Sequence, residues 1–195
     1  MGYNIGECLR FGGYVWQVLD IQGCETLLLC KDVIFKRHYN GSYKNTTWEK
    51  CSLRKYLNGK FFDLLGKENT RISLKNIITN NNPWYGIKGG KAANDKIFLL
   101  SIEEVVWYFG DSGELINRPL NYYMINDYMI NDQYNRKRIA YDDTGSAKGW
   151  CLRSPGELGS YTVFVDYCGI INVKGISVYH SDLGVRPALW LNKTE

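Results

Sequence analysis

Two segments hold the residues best placed to do chemistry. Trp150-Cys151-Leu152-Arg153-Ser154-Pro155-Gly156 and Gly184-Val185-Arg186-Pro187-Ala188-Leu189-Trp190-Leu191 each set one arginine among apolar neighbours and near a proline. A guanidinium has five N–H donors and keeps its charge. In such a setting it either receives an anion or ties carbonyls and a carboxylate together. Beside and between them, residues 141–182 are dense in tyrosine and small polar side chains: Tyr141, Asp142, Asp143, Tyr161, Asp166, Tyr167, Asn172, Tyr179, His180, Ser181 and Asp182. Tyrosine gives a large, stiff, amphipathic contact area at low entropic cost, and Asp, Ser and Asn give adaptable hydrogen bonds. The same composition also arises in any turn-rich segment.

The other reactive residues offer less. Six cysteines (Cys8, Cys24, Cys30, Cys51, Cys151, Cys168) form no C-x-x-C pair, and only two histidines occur, so a zinc site is not expected. Cys24, Cys30 and Cys51 lie in or beside apolar runs, and the expectation is six free, mostly buried thiols in a reducing compartment. Glu157 and Asp166 are a possible carboxylate pair, but nothing in the sequence brings them together. There is no G-x-S-x-G, P-loop or H-E-x-x-H motif, and histidine, the commonest general base, is scarce. No enzyme, cofactor or metal is therefore expected. Asp127 and Asp132, in the tandem repeat Tyr123-Met124-Ile125-Asn126-Asp127 and Tyr128-Met129-Ile130-Asn131-Asp132, lack the spacing of a calcium loop.

Composition bounds the partners. The chain has 195 residues, 45% hydrophobic and 14% aromatic, enough for one domain over 1–195 with a substantial core. Its net charge of +4 is spread thinly, and Arg136-Lys137-Arg138 is the one dense cluster, so specific nucleic-acid binding is not expected. No apolar run reaches the ~18 residues of a membrane span, and the first residues do not read as a signal peptide. The expected location is cytoplasmic, virion-associated or surface-associated.

These residues need elements to position them. Tyr14–Leu19 alternate as a strand, and Gln22-Gly23 predicts a hairpin into Thr26–Cys30. Thr46-Thr47-Trp48-Glu49 reads as a capping box, opening a helix with Leu53, Tyr56, Leu57, Phe61 and Leu64 at helical spacing. Asn58-Gly59 predicts a break in it, Gly66 a stop, and Arg54 and Lys55 an outward face. Thr79–Gly90 reads as a loop whose Trp84-Tyr85 folds back onto the core. Ser101-Ile102-Glu103-Glu104 is a second capping box, for a helix that Gly110 ends. Further strands follow from Trp150, with Gly169, Gly175 and Gly184 as separators and Pro187 at an edge or bulge. Many short strands with two inserted helices predict an α+β fold, mainly antiparallel.

The two arginine segments, together with Phe11-Gly12-Gly13-Tyr14-Val15-Trp16, Thr47-Trp48-Glu49…Leu53-Arg54-Lys55-Tyr56-Leu57-Asn58 and Asp95-Lys96-Ile97-Phe98-Leu99-Leu100-Ser101, resemble a family of bacterial and phage domains of unknown function. Its marks are a W-x-V-L strand, a T-W-x-x-S-x-L-R-x-x-L-N helix, W-W-L-R-S-P-G and G-V-R-P-A-L. Cys151 departs from it, standing where the family usually has a second tryptophan. The resemblance implies a C-type-lectin-like fold of the formylglycine-generating-enzyme-like branch, with N- and C-terminal strands close together and two flanking helices. It implies that Trp150, Arg153, Arg186 and Trp190 are scaffold. The same fold carries the variable proteins of diversity-generating retroelements, so the implied function is recognition of a protein or glycan through residues 141–182.

Two alternatives stand beside it. One is a structural or assembly subunit of a phage or cell-surface structure, with Trp107-Tyr108-Phe109 and Trp84-Tyr85 as an oligomer contact. The other is a formylglycine-generating-type oxidoreductase using Cys151 and Cys168, although no matching motif surrounds them. Calcium-dependent sugar binding is disfavoured, because only Asn82-Pro83 is similar to the lectin triplets that serve it.

Overall fold

The computed structural model describes residues 3–118 and 128–192. The first copy of the tandem repeat, with Asp127, lies outside them. In chain order the first strands are β1 (Cys8–Phe11), β2 (Tyr14–Gln22), β3 (Glu25–Cys30) and β4 (Phe35–Lys36). A helical segment follows, α1 (Ser52–Tyr56), a wide π-type turn (Leu57–Phe61) and α2 (Phe62–Leu64). Then come β5 (Lys75–Ile77), β6 (Ala93–Asp95), β7 (Ile97–Phe98) and α3 (Ile102–Phe109). After them lie β8 (Met129–Ile130), α4 (Asn135–Arg138), β9 (Ala140–Tyr141) and β10 (Ala147–Lys148). The last strands are β11 (Trp150–Pro155), β12 (Tyr161–Val165), β13 (Ile171–Ser177), β14 (Gly184–Val185) and β15 (Ala188–Asn192).

The fold is α+β. One sheet has the order β1-β2-β3-β15-β7 and the other β4-β14-β11-β12-β13-β8. The strand pairs are antiparallel except β11 with β14, where Trp150 faces Gly184. One apolar cluster runs from Phe11 to Leu191, with Trp16, Trp48 and Trp150 fully buried. β15 pairs along its whole length with β3, so strands from the two ends of the chain are neighbours.

Several expectations hold. Gly23 turns the β2–β3 hairpin at φ 59°. Ser101 and Glu104 form both bonds of a capping box on α3, and Gly110 closes that helix at φ 90°. Gly66, at φ 66°, follows the end of the first helical segment. Trp84 folds back and donates its indole N–H to the carbonyl of Leu115.

Others are corrected. Thr47 makes no side-chain cap, and Trp48–Lys50 is one 3-10 turn; Cys51, through its sulfur, accepts from the Arg54 amide and starts α1 instead. Asn58-Gly59 does not break the helix. The backbone widens into the π-type turn, and Asn58 reaches across to β7, where its carbonyl oxygen accepts from the amides of Lys96 and Ile97. Arg54 does not face outward. Its Nε donates to buried Asp95 at 2.6 Å, and the Trp48 indole donates to the other oxygen of that carboxylate at 2.7 Å. Burial raises the Asp95 carboxyl above its ordinary range, while Trp48 and Arg54 pull it back. Gly175 is no separator but a bulge inside β13, at φ 82°. Pro187 is at neither an edge nor a bulge; with Arg186 it divides β14 from β15, and these enter different sheets. Half the cysteines are exposed (Cys8, Cys24, Cys168), and all six are free.

Candidate functional site

The two arginines turn out to be physically different. Arg153, on β11, is 4% exposed. Its Nε and Nη2 donate to the Ile78 carbonyl, and Nη1 donates to the Leu99 carbonyl at 2.6 Å. Nη1 and Nη2 also hold both oxygens of Glu104, at 2.5 and 2.8 Å. All five donors are occupied, so an incoming anion would find none. Arg186 is 2% exposed and has no carboxylate partner among the described residues. Its Nε donates to the Cys30 carbonyl at 2.8 Å, and its guanidinium lies 5.0 Å from the Trp150 ring centre and 5.7 Å from that of Phe109. Its Nη1 has no hydrogen-bond partner among the described residues. Burial pulls this guanidinium down to about 10.

The balance at Arg186 is close. Cation–π contacts contribute ~2 kcal/mol when desolvated, but an unpaired buried donor costs ~1–3 kcal/mol and the buried charge several more. Arg186→Met is therefore expected to change unfolding free energy by less than ~1 kcal/mol, or to raise it. Urea denaturation checks this, and a loss above ~2 kcal/mol would mean that the aromatic contacts outweigh desolvation.

None of the eleven residues named at 141–182 is buried, whereas their neighbours Ala140, Trp150, Val163, Val165, Ile171, Val173, Val178 and Val185 are all fully buried. The exposed tyrosines are Tyr141, Tyr167 and Tyr179, at 46, 65 and 49%. Asp143, Ser181 and Asp182 are exposed too.

The half-buried polar members hold loops in shape. Asp142 Oδ1 accepts from the Thr144 hydroxyl at 2.6 Å and from the Thr144 and Ser146 amides, both at 3.0 Å, and Oδ2 pairs with Lys148 at 3.4 Å. The Thr144 hydroxyl first, with the two amides and Lys148 behind it, holds this carboxyl down at about 2. Asp166 Oδ1 accepts from the amides of Cys168 and Ile170, which fixes the turn presenting Tyr167. Asn172 Oδ1 accepts from the Gly175 amide and pins the β13 bulge. His180 Nδ1 accepts from the Asp182 amide.

The sequence did not point to Lys36 and His38 as neighbours of this surface. The His38 ring stacks on Tyr179 at 4.4 Å and 7°, and its Nδ1 donates to the Tyr179 carbonyl at 2.6 Å. Lys36 pairs with Asp182 and lowers its carboxyl. A two-residue strand, β4, positions both by pairing with β14, and so short a run leaves no period to read.

Contacts join most of these groups. Lys148 pairs with Asp142 and also acts on the Asp182 carboxyl. A Cβ on Gly149 would lie 3.5 Å from both Asp166 and Leu183, so the Tyr167 turn and the 179–183 segment flank the same glycine. Tyr161 stands apart, facing Ser177 at the other end of β12, ~13 Å along the strand.

The catalytic candidates do not assemble. Cys151 is fully buried, which pushes its thiol up to about 12, and Cys168 is exposed on the 166–169 turn. Glu157 pairs with Lys174 at 3.4 Å, while Asp166 is engaged by its own turn. Asp132 is held by fully buried Arg138 at 3.0 Å and by the amides of Ser112 and Tyr134. Of the basic triplet 136–138, Arg138 is thus taken out of the surface, while Arg136 and Lys137 stay exposed. Among the described residues no three His, Cys, Asp or Glu side chains are placed to hold a metal, and no helix is long and apolar enough to cross a membrane.

No curated protein matches the chain, and no solved structure matches it either. A family model does, over residues 24–193, from the hairpin preceding β3 to just beyond β15. That span takes in both arginine segments and the tyrosine-bearing surface between them, and the chain belongs to the family described as a domain of unknown function, DUF6273.

Proposed function

We propose that this chain is a non-catalytic recognition module with a C-type-lectin-like fold, binding a protein or glycan through the surface of residues 141–182. One observation carries the reading. The eleven tyrosine and polar residues named above are all at least partly solvent-accessible, while apolar residues threaded between them, such as Trp150, Val163, Val165 and Val173, are locked in the core. A stiff frame under adaptable side chains keeps the entropic cost of binding low. The adjacency of β3 and β15 supports the lectin-like fold. The buried Cys151, with its raised thiol, supports the non-catalytic part, because only a thiolate attacks.

A glycan array and cross-linking to surface proteins test the reading. Tyr141→Ser, Tyr167→Ser and Tyr179→Ser combined should weaken ligand capture at least ~100-fold without moving the melting temperature by more than a few degrees. Capture unaffected by the triple substitution would sink it. As a retroelement variable protein, the gene should have a nearby non-coding copy of the DNA for 141–182 that differs at adenines. One observation favours the assembly-subunit reading: Trp107 is 81% exposed on α3. Light scattering that finds a monomer at every concentration would remove it.

A further inference from the structure

A cavity of about 410 Å³ opens beside the tyrosine-bearing surface. Lys36 on β4, Arg37, His38 and Gly41 just after it, Ser52 at the start of α1 and Ser181 before β14 line it. Its size falls within the ~300–1,000 Å³ of small-ligand pockets. Among the described residues no carboxylate lines it. Arg37 is exposed, and its guanidinium has no hydrogen bond and no ion pair among the described residues. That guanidinium lies 4.0 Å from the Tyr56 ring centre, which steadies the side chain and leaves its five N–H donors for a ligand.

The charges around it leave one cation over. Lys36 pairs with exposed Asp182, and these two cancel. Arg37 is uncompensated. The Ser52 hydroxyl accepts from the Gly41 amide at 2.8 Å and keeps its own hydrogen to donate. The hydroxyl of exposed Ser181 has no partner among the described residues. His38 offers the opposite chemistry. Its Nδ1 is spent on the Tyr179 carbonyl, so in the neutral ring Nε2 is an acceptor, without a partner among the described residues.

Building on the recognition reading above, we propose that this cavity receives the monoanionic group of an acidic sugar, with Arg37 as its counter-ion. Guanidinium and hydroxyl donors suit an oxyanion, which accepts and does not donate. One net positive charge matches a carboxylate or a sulfate ester better than a phosphate ester, which carries ~1.5–2 negative charges. A sugar also brings hydroxyl groups, which donate to His38 and accept from Ser181. The sugar acid and the sulfated sugar share this chemistry. An acidic peptide side chain supplies the anion without the hydroxyl groups, and an amine would be repelled by Arg37.

Calorimetry on the full chain tests it with four probes: methyl glucuronide, glucose 6-sulfate, methyl glucoside and Nα-acetyl-glutamate methylamide. At least one acidic sugar should bind saturably and more weakly as salt is raised, and ~10-fold or more tightly than the neutral glucoside and the blocked glutamate. Which of the two binds tells a carboxylate from a sulfate ester. Arg37→Gln, at an exposed position that spares the fold, should weaken that binding ~10-fold or more. Asp182→Asn frees Lys36 and should tighten it, a gain that a misfolded variant cannot produce. The proposal is overturned if neither acidic sugar binds saturably, or if the glucoside or the blocked glutamate binds as tightly. It is also overturned by an affinity that Arg37→Gln does not lower or Asp182→Asn does not raise. Ligand capture that depends on the tyrosines but not on Arg37 would leave the recognition surface standing and sink the cavity. Acidic-sugar binding lost with Arg37, beside capture indifferent to the tyrosines, would do the reverse.

Discussion

Arg153→Met should destabilise the protein by ~3–5 kcal/mol, enough to unfold a marginal domain. The guanidinium neutralises Glu104 and serves the carbonyls of Ile78 and Leu99 in one place. Methionine fills most of the volume but leaves the carboxylate without its cation and two carbonyls without a donor, at ~1–3 kcal/mol for each buried group. Glu104 is 30% exposed, so water compensates part of its loss, and the lower end of the range is the better figure. Glu104→Gln keeps the shape but takes the counter-charge from Arg153 and turns one acceptor into an NH2 among N–H donors, so it should cost ~2–3 kcal/mol. Urea unfolding of both variants reads the difference, and a negligible loss in Glu104→Gln would mean that packing, not charge, makes the site. Set beside the near-neutral Arg186→Met, the result separates a satisfied buried arginine from an unsatisfied one.

Gly169→Ala should lose ~3 kcal/mol and disturb the Tyr167 turn as well. Gly169 sits at φ 83°, where a Cβ costs ~1–2 kcal/mol. A Cβ there would also run into the carbonyl oxygen of Asn135, part of α4, and backbone yields less readily than a side-chain tip. The turn is closed by Gly169 donating to the Asp166 carbonyl, so relief must come from moving Tyr167 or α4. Gly145→Ala is the control. Its φ is 77°, but nothing lies within 4 Å of the added carbon, so only the conformational cost of ~1 kcal/mol is expected. Equal melting temperatures for the two variants would refute the steric argument. Backbone amide spectra should show shifts at 166–170 only in the first.

What could be read in the sequence was what neighbouring residues decide among themselves. The Ser101 capping box, the Gly110 stop and the Gln22-Gly23 hairpin each depend on a few adjacent positions. Thr47 and Asn58 carry equally strong local signals, yet neither residue follows them, because distant partners decide both positions. Asp95 anchors Trp48 and Arg54, and the β7 amides claim Asn58. The same limit applies to the surface. That Tyr179 is exposed follows from its polar neighbours, but its stacking on His38 depends on pairing between β4 and β14, set by long-range topology.

The division at Arg186-Pro187 has a consequence for biosynthesis. β15 lies inside its sheet, between β3 and β7, and β14 lies inside the other, between β4 and β11. As the chain leaves the ribosome, both sheets therefore wait with a gap in the middle until residue 192 has cleared the exit tunnel. Until then β3 and β11 each expose an unpaired edge, and the nascent protein is at its most vulnerable to chaperone capture or aggregation. Nine residues then close both sheets in one step.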